Sequence, residues 1–185
     1  MKPVVLRSER LVLSRPTRND IDAITESCQD ETFPRTLASL PWPYTRADAA
    51  FYVTRIVSLG WLTGRTLTWG IRESEHGPHL GSIGWRRERG DIGFWLDARS
   101  RGRGYMTEAV RTVCEWVFSS LGQERIGWEA VAGNLASARV ARSAGFRFDG
   151  ERPVEVAFRD GSRPMGWHGH RLRADDGSAH EGWPV

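Results

Sequence analysis

The chain has 185 residues, of which 39% are hydrophobic and 26% charged, and its formal net charge is +3. That length suits one domain with its own core, and so small a net charge argues against binding to duplex nucleic acid. No apolar run approaches the roughly 18 residues of a membrane span. The N-terminus has no apolar signal-peptide centre, and two cysteines cannot form a disulfide framework. We therefore expect a cytoplasmic protein without membrane or nucleic-acid partners.

Hydrophobic periodicity and turn residues divide the chain into alternating elements. The N-terminal half is predicted to contain a strand in 9–17, a helix over 19–28 capped by Asn19 or Asp20, a proline-rich loop over 33–45, and a helix over 46–60 capped by Thr45. The apolar face of that second helix includes Ile56. Three strands over 66–73, 80–87 and 91–97 then form an antiparallel meander.

The C-terminal half is predicted to contain a helix over 105–122 ending at Gly122, a strand over 125–133, a short helix over 134–145 capped by Asn134, and a hairpin within 152–175 turning at 160–162. Cys114 is expected in the core. Residues 1–175 thus form one α+β domain around a mixed sheet, and residues 176–185 a loosely held tail.

The densest cluster of charge lies between the third meander strand and the helix from residue 105, in the segment 99-RSRGRG-104. Gly102 and Gly104 permit backbone conformations that other residues avoid, and they leave their N–H groups unshielded. Free N–H groups at a helix start, with the helix dipole behind them, attract anions. Three arginines surround this point, so a phosphorylated ligand is the predicted guest, although a plain strand-to-helix turn remains the structural alternative.

Known phosphate-binding patterns fit this segment poorly. A P-loop requires a lysine that is absent, and the dinucleotide fingerprint requires glycine where Thr107 stands. An RNA-binding arginine–glycine segment would be repeated and disordered, whereas this one is single and flanked by regular periodicity.

The pattern R-x-x-G-x-G over 99–104 resembles the acyl-CoA pyrophosphate loop of the GNAT N-acetyltransferases, and three further segments resemble their RimJ/RimL branch: 92-IGFWLDARSRGRGYMTEAV-110, 134-NLASARVARSAGFRFDG-150 and 40-LPWPYTRADAAFYV-53. This resemblance implies the GNAT fold, a mostly antiparallel sheet of six to seven strands with four helices and splayed central strands. It also implies acetyl-CoA as acyl donor and a primary amine, either a polypeptide N-terminus or a small molecule, as acceptor.

The resemblance also assigns residues to the cofactor. Pantetheine would lie between the splayed strands and pair with main-chain groups of Phe94, Trp95 and Leu96, with a bulge expected at Gly93. The remaining cofactor residues implied are Arg99, Arg101, Gly102, Arg103, Gly104, Tyr105, Met106, Asn134, Ser137 and Arg139. Glu108, near the helix start, is expected to be structural.

Acetyl transfer to an amine needs a free amine, donors for the developing oxyanion and a proton for the leaving thiolate. The resemblance assigns Asn134 and Ser137 to the pantetheine arm and the thiolate, and we predict Ser137 as the acid. Glu129 is the predicted base, with Asp97, His168, His170 or a water chain as alternatives. No metal is predicted, because His168 and His170 lack a third ligand nearby.

The acceptor is expected beside an aromatic cleft formed by Phe33, Trp42, Tyr44, Trp167 and His168. Three other functions stay open from the sequence: a non-catalytic acyl-CoA-binding module on the same fold, transfer of a longer acyl group, and RNA binding through 99–104. A homodimer is a possible assembly.

Overall fold

One sheet of eight strands runs through the protein in the order β1-β2-β3-β4-β5-β6-β8-β7. The computed structural model describes every residue from Met1 to Val185. The strands are β1 Leu6–Arg7, β2 Val12–Ser14, β3 Thr66–Arg72, β4 Gly81–Arg86, β5 Asp91–Leu96, β6 Arg125–Val131, β7 Arg147–Pro153 and β8 Met165–Leu172. Neighbours are antiparallel except β5 and β6, which are parallel. The short β1 raises the strand count above the expected six to seven.

Six α-helices flank this sheet: α1 Ile21–Ser27, α2 Phe33–Thr36, α3 Arg46–Phe51, α4 Ser58–Thr63, α5 Tyr105–Leu121 and α6 Leu135–Ser143. The predicted ends of α5 and α6 are confirmed. Gly122 and Gly145 adopt positive φ after the two helices, and Asn134 caps α6. The loop predicted over 33–45 contains the one-turn α2, and none of the helices is long and apolar enough to cross a membrane.

The first two predicted helices need correction in detail. Asp20, one of the two predicted caps, is the N-cap of α1, although its side chain makes no capping hydrogen bond to that helix. A 3-10 turn over Arg18–Asp20 precedes α1, and the Asp20 carboxylate accepts from the N–H of Thr17, which caps that turn, at 2.7 Å. Thr45 caps α3 as predicted. A wider π-helical turn, Tyr52–Val57, then joins α3 to α4. That turn shifts the helical phase, so Ile56 is 48% exposed and does not belong to the core face.

The two faces of the sheet are covered differently. On one face α5 and α6 pack over the main core, which includes Trp85, Ile92, Val113 and the buried Cys114. Burial raises the pKa of the Cys114 thiol to about 12, so it stays a neutral core residue, as predicted. The other face is covered by α1 and α3, with Phe33 of α2 and Tyr44 in the same cluster.

The predicted C-terminal hairpin is present, but its first strand starts earlier than expected. β7 begins at Arg147 and pairs antiparallel with β8, and the predicted turn lies in the longer loop 154–164 that joins them. The tail also differs from the expected loose segment, because Trp183 is 9% exposed and its indole N–H donates to the Phe146 carbonyl oxygen at 3.1 Å. The tail is therefore packed on the main core.

Candidate functional site

The two parallel strands separate after a short contact. β5 and β6 pair only at Asp91–Gly127 and Ile92–Trp128, although β5 continues to Leu96 and β6 to Val131. Each diverging half stays paired on its outer side, β5 with β4 and β6 with β8. A gap therefore opens at the carboxyl ends of the two central strands. The expected bulge at Gly93 is absent, because the β4–β5 register runs through Gly84–Gly93 without a shift.

Main-chain alternation decides which groups of β5 face the gap. The Asp97 N–H donates to the Leu80 carbonyl oxygen at 2.8 Å, so Asp97 and, two residues earlier, Trp95 direct their main-chain groups to β4. The main-chain groups of Phe94 and Leu96 consequently point toward the gap. The Leu96 carbonyl oxygen already accepts a hydrogen bond from Arg101 Nε at 3.1 Å. Of the three residues expected to pair with pantetheine, Phe94 and Leu96 have the suitable orientation and Trp95 does not.

Beyond the end of β5, the backbone forms a cradle of unpaired donors. Gly102 and Gly104 have φ values of 77° and 79°, and Gly104 is the N-cap of α5. The six consecutive N–H groups from Gly102 to Thr107 donate no hydrogen bond within the chain; the first that does is Glu108, to the Gly104 carbonyl oxygen. No atom lies within 4 Å of the position where a Cβ on Gly102 would stand. This arrangement suits an anionic group such as a pyrophosphate.

The arginines of the same loop have different partners. Arg99 bonds the Asp97 carboxylate and pairs with Glu26 at 2.9 Å. Arg101 pairs with Asp30 at 2.5 Å and lies over the Phe33 ring. Only Arg103 is both exposed and without a side-chain partner. The first two arginines therefore fix the loop against α1 and the segment before α2, and the cradle itself is made of backbone.

Glu108 supports the cradle from behind, as expected of a structural residue. Its carboxylate accepts hydrogen bonds from Ser8 Oγ at 2.7 Å, from the Arg10 N–H at 2.9 Å and from Arg10 Nε at 2.7 Å. Arg10 also donates to the Arg103 carbonyl oxygen at 3.0 Å and lies over the Tyr105 ring. Tyr105 and Met106 are buried side chains, so their share in the cradle is their N–H groups.

The start of α6 lies directly after β6 and carries the predicted acid. Asn134 Oδ1 accepts from the Ser137 N–H at 3.1 Å, and the Ser137 hydroxyl oxygen accepts from the Trp128 indole N–H, also at 3.1 Å. Indole is only a donor, so the hydroxyl hydrogen of Ser137 remains available to another acceptor. Arg139, further along α6, is exposed.

Glu129 is the first residue of β6 beyond the paired region, and its side chain lies on the face covered by α1 and α3. Its carboxylate pairs with Arg89 at 2.6 Å and accepts from the Glu155 N–H at 2.9 Å. Burial would raise the pKa of Glu129, but that N–H and the Arg89 guanidinium outweigh it and hold the pKa below its usual value. Glu129 is therefore an ionised carboxylate and a weak proton acceptor.

The alternative bases have other partners. Asp97 accepts from Ser27 Oγ at 2.8 Å, and the Arg99 side chain holds its pKa below the usual value. His168 is buried opposite Glu129, with Nδ1 3.8 Å from its carboxylate. His170 contacts Asp149 at 2.6 Å, away from the gap.

The predicted aromatic cleft is brought together only in part. Phe33 packs edge-on against Trp95 with ring centroids 5.9 Å apart, and Tyr44 is buried in the same cluster. Trp42 is 40% exposed at the surface. Trp167 lies on the opposite face of the sheet, in the main core, because neighbouring strand residues point to opposite sides. Of the two predicted cleft residues on β8, only His168 lies on the Glu129 side of the sheet.

Comparison with known proteins agrees with this geometry. A family model described as an acetyltransferase (GNAT) domain matches residues 10–147. The chain belongs to the GNAT acetyltransferase family. Its activity is acetyl-CoA-dependent transfer of an acetyl group to an amine nitrogen, and the unpaired donors of the cradle suit the pyrophosphate of that donor.

Similar proteins span nearly the whole length of this acetyltransferase. The N-acetyltransferase YoaA of Bacillus subtilis is 26% identical over 151 residues, which cover 79% of this chain and 84% of YoaA. Among solved structures, RimL, a ribosomal L7/L12 α-N-protein acetyltransferase in complex with coenzyme A, superposes with a TM-score of 0.76 at 18% identity, covering 91% of this chain and 98% of RimL. The ribosomal-protein-S5-alanine acetyltransferase of Vibrio fischeri gives 0.75 at 17% identity, with 93% and 98% coverage. These likenesses establish the fold.

Three residues that contact members of the candidate site escaped the sequence analysis: Trp128, Arg10 and Asp30. Arg10 contacts Glu108 and Asp30 contacts Arg101 across 98 and 71 residues of sequence, whereas Trp128 contacts Ser137 only 9 residues away. Only Trp128 carried a local signal, since it lies in the strand that borders the gap.

Proposed function

We propose that this acetyltransferase acetylates a primary amine by direct attack on acetyl-CoA within a ternary complex, with Ser137 as the acid. One observation carries the proposal: the backbone cradle of 102–107, the gap between β5 and β6 and the free hydroxyl hydrogen of Ser137 all lie at the same end of the sheet. A donor bound across these three features would have its phosphates, its pantetheine arm and its thioester sulfur each beside a matching group.

Several groups of the chain bind different parts of the acyl donor, acetyl-CoA. The N–H groups from Gly102 to Thr107 hold the pyrophosphate, assisted by the exposed side chains of Arg103 and Arg139. Main-chain groups of Phe94 and Leu96 pair with pantetheine across the gap, and one N–H there donates to the developing oxyanion. Preorganised donors of this kind typically contribute about 10²–10³ in rate. Asn134 holds the first turn of α6 and so fixes the backbone of Ser137.

On the acceptor side, Glu129 attracts the positive charge of the incoming amine. Its low pKa makes it a poor direct base, so the amine proton leaves through water beside the carboxylate. The amine nitrogen adds to the acyl carbon to give a tetrahedral oxyanion, which collapses as the carbon–sulfur bond breaks. Ser137 donates its hydroxyl proton to the leaving thiolate and regains a proton from the water that accepted the amine proton. Phe33, Tyr44 and His168 border the acceptor space, and Trp42 at the surface is placed to contact a longer acceptor.

The test is kinetic, with a matched control on the same helix. Release of free thiol from acetyl-CoA is followed with a panel of amines that includes peptide N-termini and small amines. Ser137→Ala is expected to lower kcat by about 10- to 10³-fold, since a positioned acid is lost, while affinity for acetyl-CoA stays unchanged. Ser143→Ala, at the exposed end of α6, should match the unaltered enzyme. An unchanged kcat in Ser137→Ala would remove this residue from the mechanism.

We also propose that two copies associate through the outer side of the α3–α4 helix, where an apolar stripe is exposed. Phe51, Ile56, Leu59 and Leu62 are 59%, 48%, 54% and 72% exposed. Together they present roughly 400 Å² of apolar surface, within the range of the largest patch on a typical monomer, and such patches are often contact sites. Antiparallel pairing centred near Val57 would set Phe51 against the partner subunit's Leu62 and Ile56 against the partner's Leu59. The stripe thus complements itself, as a two-fold interface requires.

Two such stripes would bury roughly 800 Å² in total, below the roughly 1,200 Å² at which standard specific interfaces begin. The expected dimer is therefore weak and transient, with a Kd on the order of micromolar. Light scattering over a concentration series should show dimers that Leu59→Lys converts to monomers. Met165→Lys, at an apolar site on β8 that is 45% exposed, should leave the dimer intact. A monomer at all concentrations up to about 100 times that Kd would refute this assembly.

We place the enzyme in the cytoplasm because Cys28 and Cys114 are both free, and cell fractionation tests this location.

A further inference from the structure

The side chain of Trp128 links the floor of the gap to the predicted acid. It projects from β6 into the core beneath α6 and is 3% exposed. Its indole N–H donates to Ser137 Oγ at 3.1 Å and is the only group of the protein that contacts this hydroxyl by a hydrogen bond. A serine hydroxyl in the first turn of a helix can otherwise turn back to a main-chain carbonyl. The indole donor occupies one lone pair of the oxygen and so restricts the directions in which its hydrogen can point.

Trp128 is itself held by the C-terminal tail. Trp183 packs against it with ring centroids 5.4 Å apart and against Phe148 at the same distance. β8 has a glycine at the position paired with Trp128, and both indole rings pack close to it. A Cβ on Gly169 would stand 2.6 Å from the Arg147 carbonyl oxygen, 3.3 Å from Trp183 and 3.5 Å from Trp128. A side chain at residue 169 would therefore collide with the backbone of β7 and also press on the Trp183 ring.

Three separate contacts fasten the tail over this slot. The Trp183 indole N–H donates to the Phe146 carbonyl oxygen at 3.1 Å. Gly177 packs so closely on Gly145 that a Cβ on Gly145 would stand 2.6 Å from the Gly177 Cα. Arg142 of α6 donates to the Val185 oxygen at 2.9 Å. The tail thus joins β7, β8 and α6 around the indole that contacts Ser137.

We propose that Trp128 and Trp183 are positioning residues for acyl transfer: Trp183 fixes the Trp128 ring, and Trp128 orients the Ser137 hydroxyl toward the gap. This inference rests on the proposed role of Ser137. Neither tryptophan touches the reacting atoms, and the tail becomes part of the catalytic apparatus through them.

The kinetic test replaces the Trp128 indole with a phenyl ring, which keeps an aromatic side chain but removes the N–H that donates to Ser137. Trp128→Phe should lower kcat about 5- to 10-fold, the usual effect of losing one orienting hydrogen bond, with KM for both substrates and affinity for acetyl-CoA changed less than two-fold. Trp183→Ala should lower kcat by a similar factor. Trp116→Phe, at a tryptophan packed against Trp69 on the far part of α5, is the matched control and should have no effect. In a Ser137→Ala background, Trp128→Phe should cause no further loss, whereas a general loosening of the fold would lower kcat in either background.

A second measurement does not depend on catalysis. The nine tryptophans give nine indole N–H resonances in a two-dimensional nitrogen–proton spectrum, and Trp128→Phe identifies one of them. Ser137→Ala and Trp183→Ala should both shift that resonance, and the control should not. An unshifted resonance in Trp183→Ala, or full activity of Trp128→Phe beside an impaired Ser137→Ala, would overturn the positioning role. If Ser137→Ala binds acetyl-CoA and retains full activity, the acid role proposed for Ser137 is refuted, and the positioning role of the two tryptophans is refuted with it.

Discussion

The backbone cradle can be tested by placing one carboxylate inside it. Gly104 has a φ of 79° and caps α5, and its N–H is the third of the six unpaired donors. Gly104→Asp introduces both a side chain at a left-handed position and a negative charge beside the pyrophosphate. Gly104→Asn introduces almost the same shape without the charge and, like Asp, tolerates the left-handed region better than other residues do.

The two contributions can be separated by magnitude. The left-handed conformation costs about 1–2 kcal/mol for a residue other than glycine, at the lower end for Asn and Asp. The added Cβ would stand 3.4 Å from Arg10 Nη2, a flexible side chain that can shift. Repulsion between one carboxylate and one phosphate charge about 5 Å away is roughly 3 kcal/mol at an effective dielectric constant of about 20. The backbone strain is present with and without acetyl-CoA, so it lowers stability more than affinity. We therefore expect Asn to weaken acetyl-CoA binding less than about 10-fold, and Asp at least 10²-fold more than Asn.

Isothermal titration calorimetry with acetyl-CoA measures both differences directly. Raising the salt concentration should narrow the gap between Asp and Asn, because screening weakens only the charge repulsion. Circular dichroism of the free variants controls for loss of fold. Equal affinities for the Asp and Asn variants would show that the pyrophosphate does not lie on these N–H groups.

Three further outcomes follow from buried or charged groups. Arg72 pairs with Asp20 at 2.7 Å while both are buried, so Arg72→Leu should reduce the free energy of unfolding by about 3–5 kcal/mol. Arg7→Leu, which breaks the exposed pair with Glu75, should reduce it by less than about 1 kcal/mol. Urea unfolding measures both losses, and equal losses would contradict the reasoning. Burial lowers the pKa of His79 to about 4, so the unfolded state binds more protons below pH 6.5 and stability should fall on the order of 2 kcal/mol between pH 6.5 and 5. His79→Gln should flatten that pH dependence, and an equally steep curve would refute it. Glu129→Gln should raise KM for the amine about 10-fold by removing a nearby opposite charge, and an unchanged KM in steady-state kinetics would exclude Glu129 from the acceptor site.

Features that depend on neighbouring residues were predictable from the sequence. The cradle could be located because positive φ at Gly102 and Gly104, and a helix starting behind them, are determined within a few residues. The cap at Asn134 and the end of α5 at Gly122 follow the same local rules. The meander followed from alternation and short turns.

Features that depend on the phase of an element were harder to predict. A strict helical repeat put Ile56 in the core, whereas the π-helical turn rotated it to the surface. Trp167 and His168 are adjacent in sequence but lie on opposite faces of the sheet, so a single cleft could not contain both. Such errors arise because residue type alone does not fix the face of a strand or the phase of a helix.

Long-range partners account for the remaining differences, and Arg101 shows why. In the sequence it is one of three equivalent arginines beside a phosphate-binding turn. In the folded chain it donates to the Leu96 carbonyl oxygen, pairs with Asp30 and covers the Phe33 ring, so it joins the end of the donor strand to the start of the acceptor-side helix α2. Its positive charge is already paired with the Asp30 carboxylate, 71 residues away in the sequence, so its attraction for a phosphate is weak. In the proposed binding mode the pyrophosphate is held chiefly by dipoles of the backbone, which no side-chain substitution removes. The glycines of the loop are therefore more informative about its function than its arginines.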